Sequence, residues 1–261
     1  MGQKLCIFCQ NSGLSKEHFW PNWLRDYLDT SPSDKHTTEV YSGEVNSKAE
    51  LENKLERSGN LITKKFRVVC AKCNSGWMSK LEEKIKPIIV SVLKNQDITL
   101  NSDEILLFSK WIIMKVMVAE QNHQGTQVTP NSDLKSFYDT NEIPDYYRIY
   151  ISKQRSSHHS GYQRHSCTLG LSKTGPLCDM GGMERNAHTV SFLLGPLFIY
   201  VIACREQNIF LWREFKLNHM KCVYPYKKKT LNLKSLKYLD NKRISDIAYG
   251  LEDLISKPRV K

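Results

Sequence analysis

Two short cysteine pairs carry the clearest chemistry in this chain: Cys6-x-x-Cys9 and Cys70-x-x-Cys73. A Cys-x-x-Cys turn is a tight knuckle whose two sulfurs can face one ion. Two knuckles complete a tetrahedron of thiolates around Zn²⁺, with Zn–S near ~2.3 Å. Sixty residues lie between Cys9 and Cys70, but lengthening a loop adds little to the cost of closing it. Four thiolates leave no open coordination position, so the expected ion is structural rather than catalytic. The chain has eight cysteines. Cys167, Cys178, Cys204 and Cys222 share no such spacing and read as small core residues.

Other reactive groups lie beside the knuckles. Glu17-His18 comes shortly before Pro21, and Asn74 follows Cys73 directly. Each has an ordinary reading as well: Glu17 as a solvated charge, His18 packed against Trp20, Asn74 as the cap of the helix it starts. Farther along, Tyr224-Pro225-Tyr226 runs into Lys227-Lys228-Lys229. Aromatics beside cations suit base stacking and phosphate pairing, or form a solvated turn. The stretch from Ser156 to His165 holds His158, His159 and His165, either an exposed loop or a second metal site.

Lys plus Arg number 38 against 27 Asp plus Glu, a net charge of +11. Such a surplus points to a polyanion, nucleic acid before an acidic membrane surface. The longest apolar stretch, Val190 to Cys204, is broken by Gly195-Pro196. It falls short of the about 20 apolar residues of a spanning helix and reads as two buried strands or one bent strand. Met1 to Cys9 is too short and polar for a signal peptide. A cytoplasmic protein with no membrane partner is expected.

Positioning these groups requires defined elements. Pro21 suits a helix start, and Asn22 to Leu28 has helical character. Residues 29–60 are polar and read as an insertion, with a short helix from Ala49 to Arg57. Residues 62–69 read as a strand running into the second knuckle. A helix is expected from Asn74, with Trp77, Leu81 and Ile85 on one face and Pro87 kinking or ending it. A second helix is signalled by Ser102-Asp103-Glu104 and the apolar run through Ala119, with Ser102 as its cap. Beyond residue 122, β-like runs alternate with polar turns: Tyr146 to Lys153, His165 to Ser172, Thr189 to Cys204 and Ile209 to Arg213. Short helices are expected near Leu233 to Leu239 and Ser245 to Ser256.

With the knuckles, Glu17-His18 and Asn74 in place, the sequence resembles the HNH, or ββα-metal, endonucleases. The phage junction-resolving members with two Cys-x-x-Cys knuckles are similar here, with an acidic residue before the His and Asn directly after the fourth Cys. The resemblance covers about the first third of the chain. It implies a zinc-stapled hairpin and helix that cut phosphodiesters with Mg²⁺ or Mn²⁺. Glu17 and Asn74 would ligate that ion, and His18 would deprotonate water. Where the family usually has Asp, this chain has Glu17. Trp77 stands where a further polar site residue could sit. Asn60 is too far from Cys70 to supply the family's middle Asn. Lys65, Arg67 or Lys80 could clamp phosphate, and Glu82 could support the site or face water.

The expectation is therefore an α+β protein. Residues 1–95 form an HNH-like ββα-metal domain, 96–122 a connecting helix, and 123–261 a mainly antiparallel α+β domain that holds substrate or a partner protein. The expected function is an endonuclease on nucleic acid, DNA first, in phage defence or a mobile element. Its rival is a non-catalytic module that binds nucleic acid or protein and keeps only the structural zinc.

Overall fold

A computed structural model describes residues 4–29, 35–42, 50–58, 61–122, 125–155, 160–171, 177–179 and 184–256. The chain is α+β. Strand β1 (Leu14–His18) is followed by a short 3-10 helix, Asn22–Asp26, and a hairpin of β2 (Lys35–Ser42) and β3 (Glu50–Ser58). The helix expected over Ala49 to Arg57 is, from Glu50 on, this strand β3. Leu51 and Leu55 have helical spacing, but a polar helix of that length has little to hold it, whereas the hairpin pairs its backbone with β2.

Strand β4 (Lys65–Cys70) returns antiparallel to β1 and pairs Leu14 with Cys70 and His18 with Lys65. It runs straight into a helical turn, α1 (Ala71–Cys73), for which Cys70 is the cap. A wide turn at Asn74–Met78 is followed by α2 (Ser79–Leu93). The helix thus begins before Asn74, and Asn74 does not cap it. Pro87 also lies inside α2 without ending it. The carbonyl it leaves unbonded belongs to Glu83, and both residues are exposed, so water can satisfy that oxygen.

After β5 (Thr99–Asn101) comes the long helix α3 (Ser102–Ala119). Its cap is Asn101, one residue before the expected Ser102. The Asn101 side chain accepts from the Asp103 and Glu104 N–H groups, and Glu104 reaches back to the Asn101 N–H at 2.9 Å. This reciprocal pair satisfies orphan donors at the helix start. Helix α4 (Asn131–Thr140) precedes β6 (Tyr147–Lys153), β7 (Ser160–Cys167), and the short pair β8 (Leu169–Leu171) and β9 (Leu177–Asp179). The apolar stretch is a hairpin, β10 (Ala187–Leu194) and β11 (Leu197–Cys204), turning at Gly195-Pro196. Gly195 has φ +55°, a conformation glycine adopts freely in such turns. Strands β12 (Lys221–Tyr224) and β13 (Thr230–Asn232) precede α5 (Asn241–Ala248) and α6 (Gly250–Ser256). Ile209 to Arg213 is not a strand but contains a 3-10 turn at Leu211–Arg213.

The main sheet is antiparallel, in the order β12-β6-β11-β10-β7. One apolar cluster runs from Cys6 and Phe8 through α3 to Val190, Phe192 and Leu236. It crosses the boundaries expected near residues 95 and 122. Trp20, beyond β1, lies 5.6 Å from the Trp111 ring of α3 and 5.3 Å from Phe192 of the sheet. Helix α3 is buried nearly all round, including Ile112, Ile113, Met114 and Val116. It is the shared core of the N-terminal finger and the sheet rather than a connector between them. Among the described residues, no helix is long and apolar enough to cross a membrane.

Candidate metal centre and its surroundings

The first knuckle is closed by backbone bonds, Gln10 N–H to Cys6 O at 3.0 Å and Cys6 N–H to Asn11 O at 2.9 Å. Ile7 N–H donates to Val68 O at 3.0 Å and Ala71 N–H to Gly13 O at 3.2 Å. These two bonds seat the first knuckle on the end of β4, where the second begins. The Cys73 N–H points back at Cys70 Sγ, 3.4 Å away. The ligand atoms of Cys6, Cys9, Cys70 and Cys73 all lie within 4.8 Å of one another, with Cys9 and Cys70 sulfurs at 3.4 Å. In a tetrahedral zinc thiolate, Zn–S near ~2.3 Å puts sulfurs about 3.8 Å apart, so the donor set and its spacing fit that ion. Cys6, Cys70 and Cys73 are buried. Burial pushes the Cys6 and Cys73 thiols up, because an isolated thiolate is costly in an apolar setting. A bound cation removes that cost.

Trp77 has a structural job at this centre. Its ring packs edge-on to Phe8 at 5.0 Å and to Phe137 of α4 at 5.9 Å. It seals the knuckles under α4, at a place where the resembling nucleases could carry a polar group.

Along β1, successive side chains point to opposite faces. Glu17 turns inward and is 5% exposed, whereas His18 is half-buried. The register breaks between Ser15 and Glu17, a bulge that re-aims the end of the strand. His18 sits opposite Lys65. Burial, then the nearby charges of Lys65 and Arg25, holds its imidazole below the usual histidine value. Lys65 and Arg25 are exposed. The imidazole is therefore neutral at pH 7 and lies among cations, a setting that suits a base beside a phosphate.

No protein-family model matches this chain, and neither a curated protein nor a solved structure matches it.

Glu17 has a resident partner that the sequence reading missed. Lys115 of α3 donates to its carboxylate at 2.9 Å and to Glu82 of α2 at 2.6 Å. The Lys115 side chain is 1% exposed. Burial alone would lower the pKa of this ammonium, but Glu82 and Glu17 together raise it, so it stays charged. Burial pushes the Glu82 carboxyl up despite the attraction of Lys115. Glu82 is thus part of a buried ion triad and does not merely face water. The signal for Lys115 was available: it is a lone charge in the apolar run Trp111 to Ala119.

Asn74 faces elsewhere. Its amide N–H₂ donates to Ser15 Oγ at 3.1 Å and to Lys16 O at 3.4 Å, fastening the start of the helix to β1. A hydrated Mg²⁺ or Mn²⁺ keeps several waters and needs free carboxylate oxygens. The Glu17 carboxylate is instead enclosed and neutralised by Lys115, so this arrangement does not fit a divalent ion shared by Glu17 and Asn74.

Lys227, Lys228 and Lys229 are exposed in the turn between β12 and β13. The tyrosines before them are anchored. Tyr224 donates its hydroxyl to Ile143 O at 3.0 Å and Tyr226 to Thr230 O at 2.7 Å, and both rings pack against the core. The cations of this turn face outward, and the rings do not. His158 and His159 lie outside the described residues. Arg164 of the same stretch bonds Thr126, and His165 bonds Gln163 in β7.

Proposed function

We propose that this chain is a zinc-stapled ββα nuclease of HNH type that hydrolyses phosphodiester bonds in nucleic acid, DNA first, with His18 as general base. The observation behind this reading is the placement of a neutral, half-buried imidazole at the end of the strand that the four cysteines clamp to β4. A phosphate drawn to Lys65 and Arg25 would lie beside that ring. His18 would take a proton from the attacking water, and the two cations would offset charge growing on the phosphate oxygens. The ion in the knuckles would be zinc, holding β1, β4 and the helix together without touching substrate. No step is drawn through a divalent ion on Glu17, because Lys115 occupies its carboxylate. A cytoplasmic setting in phage defence or a mobile element goes with the resemblance to HNH enzymes.

The Glu17–Lys115 pair favours a second reading, a module that binds nucleic acid or protein without cutting. One experiment separates the two. Purified protein and its His18→Ala variant are incubated with plasmid, single-stranded DNA and RNA, each with Mg²⁺, with Mn²⁺ and with no added ion. Cleavage by wild type and its loss in the variant support the nuclease. Binding without cleavage under every ion supports the module.

A further inference from the structure

On the second apolar cluster, the segment after β11 puts aromatic rings on the surface. In the 3-10 turn at Leu211–Arg213, Leu211 is wholly buried while Phe210, just before it, is 47% exposed. Ile209 is buried as well, so core residues on both sides of Phe210 anchor the turn and leave Phe210 facing solvent. An exposed phenylalanine is costly to leave in water and is informative when its surroundings are built for it. Here they are. Arg213 lays its guanidinium over the Phe210 ring at 4.6 Å, Trp212 meets that ring edge-on at 5.3 Å, and Arg148 of β6 lies over Trp212 at 4.4 Å. The position of Arg148 is fixed, since its NH1 group donates to Tyr147 O at 2.7 Å and to Asp145 O. Between Arg205 and Lys221 the chain carries Arg205, Arg213, Lys216 and Lys221 against Glu206 and Glu214.

We propose that Phe210, backed by Arg213 and met edge-on by the Trp212 ring that Arg148 covers, is a stacking platform for an unpaired base of single-stranded nucleic acid. Each part has a role in that chemistry. One face of Phe210 is backed by Arg213, and its exposed side is open to a base. A base can stack there only when its own face is free, which excludes a base inside a duplex. The Arg213 guanidinium beside the ring can pair with a phosphate next to the stacked nucleotide. Trp212, covered on its face by Arg148, meets the ring edge-on. This platform rests on the nucleic-acid reading above and narrows its substrate to one with an unpaired stretch.

The test measures binding with no added divalent ion, using fluorescence anisotropy of labelled oligo(dT), oligo(rU) and a mixed-sequence duplex, with strand integrity checked on a gel. Phe210→Ala is expected to weaken binding of the single strands roughly 5- to 150-fold, the usual effect of removing one stacked base. Duplex binding should change less than twofold. Phe210→Trp keeps a flat face and should restore single-strand binding, which a mere folding defect would not allow. Arg213→Gln should lower the salt slope by about one. Circular dichroism and metal content confirm that each variant is folded. The oligo(dT) and oligo(rU) arms tell DNA from RNA. Equal single-strand binding by wild type and Phe210→Ala overturns the platform and leaves the nucleic-acid reading standing, as does wild type that binds duplex alone. Wild type that binds none of the three probes overturns both.

Discussion

The Lys115 ammonium lies 2.9 Å from the Glu17 carboxylate, across 98 residues of sequence. With Glu82 at 2.6 Å on its other side, it ties the finger's first strand, the finger's helix and the central helix α3 at one buried point. Removing one partner of a buried pair leaves an uncompensated charge and typically costs about 3–5 kcal/mol. Lys115→Met should therefore destabilise the protein by about that much in denaturant unfolding. Adding Glu17→Gln and Glu82→Gln to it should recover most of the loss, because no buried charge is then left unpaired. A triple variant as unstable as Lys115→Met alone would mean that packing, and not charge, accounts for the loss.

Metal at the cysteine cluster should be one zinc per chain, because four thiolates make one closed site. Cys70→Ser removes a thiolate ligand while its hydroxyl can still cap α1, and should lose the zinc. Structural zinc contributes on the order of 10 kcal/mol in zinc-finger peptides. A strong chelator should accordingly unfold the N-terminal region of wild type, read as a loss of near-ultraviolet circular dichroism from its packed aromatic side chains. Full tertiary signal in zinc-free protein would count against a structural ion.

As the proposed general base, His18 would act only when neutral. Burial and the neighbouring cations Lys65 and Arg25 keep its pKa below the ordinary histidine value. Cleavage should then rise with pH on the acid side, below about 6.5, and level off by pH 7. His18→Ala should cut the rate by roughly 10²–10⁴-fold and abolish that acid limb. Glu17→Gln should lower stability, and added Mg²⁺ should not rescue it, since Glu17 serves Lys115. Rescue by Mg²⁺ would return Glu17 to the role of metal ligand.

The outward-facing Lys227, Lys228 and Lys229 should contact phosphates. Replacing all three with Gln should reduce the slope of log affinity against log salt for duplex DNA by up to about 2–3, through loss of counterion release. Thermal stability should stay within about 0.5 kcal/mol of wild type, as for exposed substitutions generally. An unchanged slope would move the duplex contact to another surface.

How far the sequence could be read depended on the range of each signal. The knuckles were legible because two sulfurs at fixed spacing declare a turn by themselves. Helix α3 was legible because its start signals and apolar run are local, and the error at its cap is one residue, Asn101 for Ser102. Strand β3 was misread because Leu51 and Leu55 satisfy a helical period, and only its pairing with β2 decides otherwise. Glu17 looked like a metal ligand because the resemblance to HNH enzymes puts an acidic ligand just before the His. Its true neighbours, Lys115 and Glu82, come from two other helices, and no spacing rule reaches them. The Phe210 turn read as a strand because Ile209 to Leu211 is a short apolar run; Ile209 and Leu211 are core, and Phe210 between them is exposed.

The shared core has a consequence for evolution and for protein engineering. A zinc finger that is stable on its own can be transplanted, since it brings everything it needs. The N-terminal segment here draws the counter-charge for Glu17 from Lys115 and the ring under Trp20 from Trp111. A fragment ending at residue 95 would bring the cysteines to a new host but leave behind the lysine and tryptophan that the finger rests on. Residues Cys6 to Ala119 are therefore expected to be inherited together, and a shuffled finger would need a replacement for α3 before it could fold.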